Sequence, residues 1–326
     1  MKKNTKNNDT VINEGAVVIR KSTWKKMLEA WQLYVLIALP VIYIIIFNYI
    51  PMLGVQIAFK NFLPRKGIWG SPFIGFDHFV EFISYPQFWQ YFFNTIRISV
   101  YSLCASFPIP IILALGLNVM RCKAYKKTVQ MLTYMPHFIS VVVLVSILTQ
   151  FFNPHVGLFA NICKTLGVTY TDTPMAKAAA FPHLYVWSGV WQNMGWSTII
   201  YLAALSSADV ETTEAALIDG ATRFQRLRYI DFPTIVPTAI IILIMDFGKI
   251  MSIGFEKVLL LQNNLNIETA EVITTYSYKL GFGTTGDGYR RYDYSTAISL
   301  FNSVINLVLI VTVNKISSKV SETSLW

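Results

Sequence analysis

The chain has 326 residues, of which 54% are hydrophobic and only 14% charged, and its mean hydropathy is +0.46. Soluble domains carry about 25% charged residues, so this composition excludes an ordinary soluble enzyme and a largely disordered chain. Lys and Arg outnumber Asp and Glu by 27 to 18, a balance that fits either nucleic-acid binding or the cytoplasmic loops of a membrane protein, and the positions of the charges decide between them.

Residues 1–32 are polar or amphipathic and carry seven of the basic residues. Within them, Trp24, Met27, Leu28 and Trp31 fall on one helical face, away from Lys25, Lys26 and Glu29. The spacing predicts a short helix lying in the cytoplasmic interface, or else a simple extension of the first span. The first apolar run is too long, and too far from the N-terminus, for a cleaved signal peptide.

Charge is absent from 30–59, 98–120, 128–163, 178–208 and 294–314. About 20 helical residues cross a bilayer core of roughly 30 Å, so each gap is long enough for a crossing. A sixth apolar stretch, 234–262, holds Asp246, Lys249, Glu256 and Lys257. The expectation is six transmembrane helices, about 33–53, 94–118, 131–152, 184–205, 235–261 and 295–313. The fold class is all-α integral membrane, because lipid leaves backbone groups no outside partner and runs such as Val141–Val145 do not alternate as barrel strands would.

The N-terminal tail, 121–130, 206–233 and the C-terminal tail together carry sixteen Lys and Arg, against eight in the other three loops. Positive charge prefers the cytoplasm, which places both termini inside. Nucleic-acid binding falls away, because topology explains the excess. The outer loops are 55–90, 153–183 and 262–293, and Gly157–Gly167 reads as a short amphipathic helix.

Span four carries Trp187, Trp191, Gln192, Asn193 and Trp196. Trp187 and Trp191 share a face at i, i+4, and Trp196 lies elsewhere around the helix. Aromatic rings stack on sugars and amides bind hydroxyls, which suits a carbohydrate path; an interfacial tryptophan belt is the plainer explanation for the rings. Asp246 and Lys249, at i and i+3 in span five, read either as a structural ion pair, which the spacing favours, or as part of a water-filled pathway.

Catalytic signatures are missing. There is no GxxxxGK[ST] loop, HExxH or GxSxG, and the four histidines and three cysteines have no metal-ligand spacing. The chain reads as no enzyme, with no metal and no directly bound cofactor.

The loop between spans four and five is the informative one. Glu211-Thr-Thr-Glu-Ala-Ala-Leu-Ile-Asp-Gly220 predicts a short helix capped by Asp209 or Thr212, with Gly220 turning the chain at positive φ. Thr222 then starts a second helix carrying Phe224, Leu227 and Ile230 on one face, which Pro233 stops. Small residues and an apolar knob on a cytoplasmic loop read as a docking element.

This loop resembles the EAA loop of ABC-importer permeases. Glu214, Ala215, Ala216, Asp219, Gly220, Ala221, Phe224 and Pro233 match its pattern, with Phe232 in place of the more usual Leu. Ser197–Leu205, Gly254–Leu261, Thr274–Tyr278, Tyr294–Asn302 and Tyr49–Gly54 are similar to the sugar-transport, maltose-transporter-like branch, and to its oligosaccharide and polysaccharide members in particular. The resemblance implies a type I permease fold over 33–326, with 206–233 as the coupling loop, in a bacterial cytoplasmic membrane. It implies a second homologous permease, two ATP-binding subunits that use ATP and Mg, an extracytoplasmic solute-binding protein and a carbohydrate substrate. In that family Glu214 would anchor the loop in an ATPase cleft, Ala215 and Ala216 would pack closely, and Gly220 would be the hinge. The candidate pathway residues are Trp187, Trp191, Gln192, Asn193, Trp196 and Asp246. The alternatives are a permease for a non-sugar solute and a polytopic membrane enzyme acting on glycans.

Overall fold

Long runs of Leu, Ile, Val and Phe without charge form helices that close every backbone hydrogen bond internally, and such helices form the frame of this computed structural model. It describes residues 12–13, 16–17, 29–284 and 290–320. Contacts divide the chain into two units, 1–56 and 57–326.

In the first unit, Ile12–Asn13 and Ala16–Val17 form a two-residue antiparallel pair. Helix α1 begins at Trp31 and runs to Ile44, and the chain stays helical through a π-turn at Ile45–Tyr49. The interfacial helix expected over 22–32 falls mostly outside the described residues.

In the second unit, α2 (Asp77–Ile83) precedes α3 (Phe88–Ser106) and α4 (Pro108–Val119), which together make one crossing. The third expected span is two pieces, α5 (Lys123–Tyr134) and α6 (Val141–Phe151); a short 3-10 turn, Met135–Phe138, continues α5, and the pair is bent by 101°. Helix α7 (Leu158–Thr165) is the short helix read from Gly157–Gly167. Next come α8 (Phe181–Ser206), α9 (Val210–Ile218), α10 (Arg223–Arg226) and α11 (Phe232–Phe247). The chain ends in α12 (Phe255–Leu261), α13 (Ile273–Phe282) and α14 (Tyr292–Val320).

Among the described residues, four helices are long and apolar enough to cross a membrane: Trp31–Phe59, Phe88–Val119, Arg223–Phe247 and Tyr292–Lys319. The bent α5–α6 pair would be a fifth. Helix α8 is long enough, 26 residues or about 39 Å at 1.5 Å per residue. It is less apolar because it faces protein: it packs on α3, α4, α5 and α11, and Ser188, Gln192 and Thr198 are among its buried residues.

Two further expectations fail on helix continuity. Span five is not one helix over 235–261, because it stops at Phe247 and resumes only at Phe255. At the break Gly248 approaches α14 so closely that a Cβ would lie 2.7 Å from Ile310 Cδ1. The freed backbone finds side chains: Asn302 Nδ2 donates to Met251 O at 2.7 Å, Met251 N donates to Asn306 Oδ1 at 3.0 Å, and Ser99 Oγ donates to Ile250 O. These bonds are what permit non-helical backbone at this depth.

Pro233, expected to stop the second loop helix, instead lies in the first turn of α11. The chain stays helical from Arg223 to Phe247 through a π-turn at Leu227–Asp231. Proline gives no N–H to the ladder, and the π-turn directly before Pro233 is where the continuous helix accommodates it.

Candidate functional site: an interhelical polar cavity and a docking loop

Helix α8 organises the interior. Gly195 lets it lie against α5, where a Cβ would meet Thr133 O at 2.1 Å. Three residues back, Gln192 Nε2 donates to Ile139 O at 2.7 Å, satisfying a carbonyl exposed by the α5–α6 bend. Asn193 Oδ1 lies 3.0 Å from His137 Nδ1, and the His137 ring stacks on Trp196 with centroids 4.4 Å apart.

On the same helix, Tyr185, Gly189, Gln192, Asn193 and Ser197 line a cavity of about 540 Å³. Ser102 and Ser106 of α3, Tyr201 of α8, Asp246 of α11, Lys249 from the break, and Lys257 of α12 complete its polar lining. Ligand cavities measure roughly 300–1,000 Å³. A smaller cavity of about 190 Å³ shares Ser102, Ser106, Tyr185, Asp246 and Lys249.

The candidate pathway residues therefore separate. Gln192, Asn193 and Asp246 meet at this cavity. Trp187 and Trp191 do share a face, but it is a different one: they line an apolar groove with Leu144, Ile147, Phe151 and Phe152. Trp187 Nε1 also donates to Tyr101 Oη at 2.8 Å. Trp196 is occupied by His137. The ion-pair reading of Asp246 and Lys249 is corrected: no side-chain bridge within 4.0 Å joins them. The chain keeps turning past Phe247, where Lys249 N donates to Asp246 O at 3.0 Å, and both side chains line the same cavity without bridging.

Sequence reasoning did not single out Lys257, Tyr185, Ser102 or Ser106. Lys257 was visible as a charge in an apolar stretch; the helix break that turns it toward α8 was not.

The loop between α8 and α11 projects its apolar groups. Asp209 caps α9, accepting from Glu211 N at 3.0 Å and from Thr212 Oγ1 at 2.7 Å, and these bonds hold its carboxyl below the usual range. Helix α9 ends in a Schellman turn: Ala221 N donates to Ala216 O at 2.9 Å, Gly220 N donates to Leu217 O at 3.2 Å, and Gly220 has φ +78°. Thr222 and Gln225 then form a capping box that starts α10.

On this frame Glu214, Ala215 and Asp219 are exposed, as are Phe232 and Pro233, while Ala216 and Ala221 are half-buried. Ile218 is 86% exposed, Phe224 71% and Tyr229 72%. So large an apolar display on one loop is unusual for a surface without a partner. Among the described residues, no group of three or more His, Cys, Asp or Glu is placed to hold a metal ion.

Comparison with known proteins agrees with this architecture. Residues 106–322 match the family described as binding-protein-dependent transport system inner membrane component. The chain is 39% identical to protein LplB of Bacillus subtilis (strain 168) over 298 residues, covering 91% of this chain and 92% of LplB. It is 35% identical to the polygalacturonan/rhamnogalacturonan transport system permease protein YteP of the same organism, covering 95% and 96%. A solved bacterial alginate ABC transporter, in complex with an alginate pentasaccharide-bound periplasmic protein, contains a chain that superposes with a TM-score of 0.82 at 36% identity, covering 93% of this chain and 99% of that one. The chain thus belongs to the family of binding-protein-dependent transport system inner membrane components, a multi-pass permease and not an enzyme.

Proposed function

We propose that this chain is one permease subunit of an ATP-driven importer for oligosaccharides or polysaccharide fragments in a bacterial cytoplasmic membrane, with both termini inside. The observation that carries this reading is the cavity of about 540 Å³, walled by apolar crossing helices yet lined with serines, amides and charged groups. Hydroxyl-rich solutes need such hydrogen-bonding partners inside an apolar bundle. Gln192, Asn193 and Asp246 form part of the path, and a second, related permease completes it. LplB, YteP and the alginate transporter chain support a sugar substrate by similarity.

The loop 206–233 is the coupling element. Glu214, Ala215, Ala216, Asp219, Gly220, Ala221, Phe224 and Pro233 engage one of two ATP-binding subunits, which use ATP and Mg. An extracytoplasmic binding protein delivers the sugar. The exposed Ile218 and Phe224 are the apolar groups such a contact would cover.

The test is ATP-dependent uptake of radiolabelled oligosaccharides by proteoliposomes holding the complex that purifies with this chain, supplied with its binding protein. Uptake that needs both ATP and the binding protein supports the reading. Uptake independent of both, or accumulation of a non-sugar solute only, contradicts it.

A further inference from the structure

The charged groups lining the larger cavity are two lysines and one aspartate: Lys249, Lys257 and Asp246. Lys257 is buried, 7% exposed. Its Nζ donates to Tyr185 O at 2.8 Å and lies 4.9 Å from the centroid of the Tyr185 ring. One turn along α8, Gly189 leaves room for the ammonium, since a Cβ there would sit 3.1 Å from Nζ. Among the described residues, no carboxylate lies within 4.0 Å of either lysine.

A buried ammonium without an anion is costly. Lys257 carries three donors, and one carbonyl and one ring from the same tyrosine leave it donors to spare. Lys257 is thus a buried basic group at the cavity with no carboxylate in bridging distance among the described residues. The lining has one more positive than negative group, which matches a singly charged anion. A phosphate dianion would call for more, and is typically met by forked arginines; the lining has no arginine.

The geometry points to Lys257, assisted by Lys249, as a carboxylate-holding subsite of the pathway, which selects oligosaccharides that carry uronic acid units. The serines and amides of the same cavity bind the hydroxyls, and Tyr185 with Gly189 fixes the position of the ammonium. This rests on the sugar-import reading above and adds the charge of the sugar and the residue that reads it.

The test uses the complex that purifies with this chain, in lipid nanodiscs at low salt and without binding protein, so that only the membrane cavity reports. Three probes are compared by calorimetry: a disaccharide carrying one galacturonic acid unit, the same disaccharide with its carboxyl reduced, and a hexose phosphate. The wild-type complex binds the disaccharide with one uronic acid unit about tenfold more tightly than the neutral disaccharide, the scale of one charge-assisted hydrogen bond. Lys257→Met removes most of that preference, Lys257→Arg retains part of it, and Lys249→Met has a smaller effect.

If Lys257→Met does not assemble, Gly189→Ala, which crowds the ammonium, is scored in the same way. An undiminished preference in either variant overturns the assignment, as does tighter binding of the hexose phosphate. Equal binding of both disaccharides overturns it while leaving sugar import standing, and binding of neither counts against both.

Discussion

A Cβ on Gly195 would lie 2.1 Å from the carbonyl oxygen of Thr133, so α8 and α5 touch through their backbones. That approach brings Gln192 and Asn193 to the α5–α6 bend and opens the polar cavity on the neighbouring face of α8. Gly195→Ala is expected to destabilise the protein by roughly 1–3 kcal/mol, the usual cost of overpacking. Gly116→Ala, inside α4 with nothing within 4 Å of the added carbon, should instead stabilise by up to about 1 kcal/mol, since alanine is the better helix former. Thermal unfolding of both variants in the same detergent checks the pair.

The coupling turn depends on one backbone angle. Gly220 has φ +78°, and proline is fixed near −65°. Gly220→Pro should therefore leave the chain in the membrane at normal levels and reduce uptake to background. Thr222→Ala, which deletes the capping box, should cost about 1 kcal/mol locally and lower uptake only in part. Membrane abundance by immunoblot, beside uptake of labelled oligosaccharide, separates the two.

Asp246 lines the cavity without a bridging cation, so Asp246→Asn should change transport more than assembly. Substrate-stimulated ATP hydrolysis by the purified complex should shift, while the yield of complex stays within about twofold, as expected when no net ion pair is broken. Loss of the complex, with unchanged activity in what remains, would restore a structural role.

At the other end of the bundle, α2 is tied to the start of α14. Arg291 Nη1 and Nη2 donate to Glu81 Oε1 and Oε2 at 2.5 and 2.7 Å, and the guanidinium lies 4.2 Å from the Tyr294 ring centroid. The Arg291 hydrogen bond holds the Glu81 carboxyl below its ordinary value of 4.5. A depressed folded pKa means that the stabilising contribution is complete above the unfolded value and is lost as pH falls through the folded one. Arg291→Met should lower stability by up to about 1 kcal/mol at pH 7, because the pair is partly exposed, and the gap to wild type should close as pH falls below 4.5 and through the lowered folded value of Glu81. A gap unchanged at low pH would assign it to packing on Tyr294.

Helix positions were largely legible because lipid-facing segments must be long and free of charge. The two breaks were not. The α5–α6 bend carries a local mark in Pro136, which lies in the turn between the two helices, and Gly248 and Gly254 flank the Phe247–Phe255 interruption, but neither mark fixes how the chain turns there. What permits each is a partner distant in sequence: Gln192 for one, Asn302, Asn306 and Ser99 for the other. Hydropathy alone also undervalues α8, whose polar residues are buried against protein. The loop turn at Gly220 and its caps were legible because each depends on residues within four positions of one another. The cavity was legible only in Gln192, Asn193 and Asp246; Lys257 reaches it through the broken span, and the tryptophans beside those amides point to other surfaces.

The most direct test of the coupling account is to tag this chain, extract it gently from its native membrane, and measure the co-purifying proteins for wild type, Glu214→Lys and Gly220→Pro. The account predicts that wild type brings down a second permease and a P-loop ATPase, and that both variants keep the permease but lose most of the ATPase. Wild-type amounts of ATPase and undiminished uptake in both variants would contradict it.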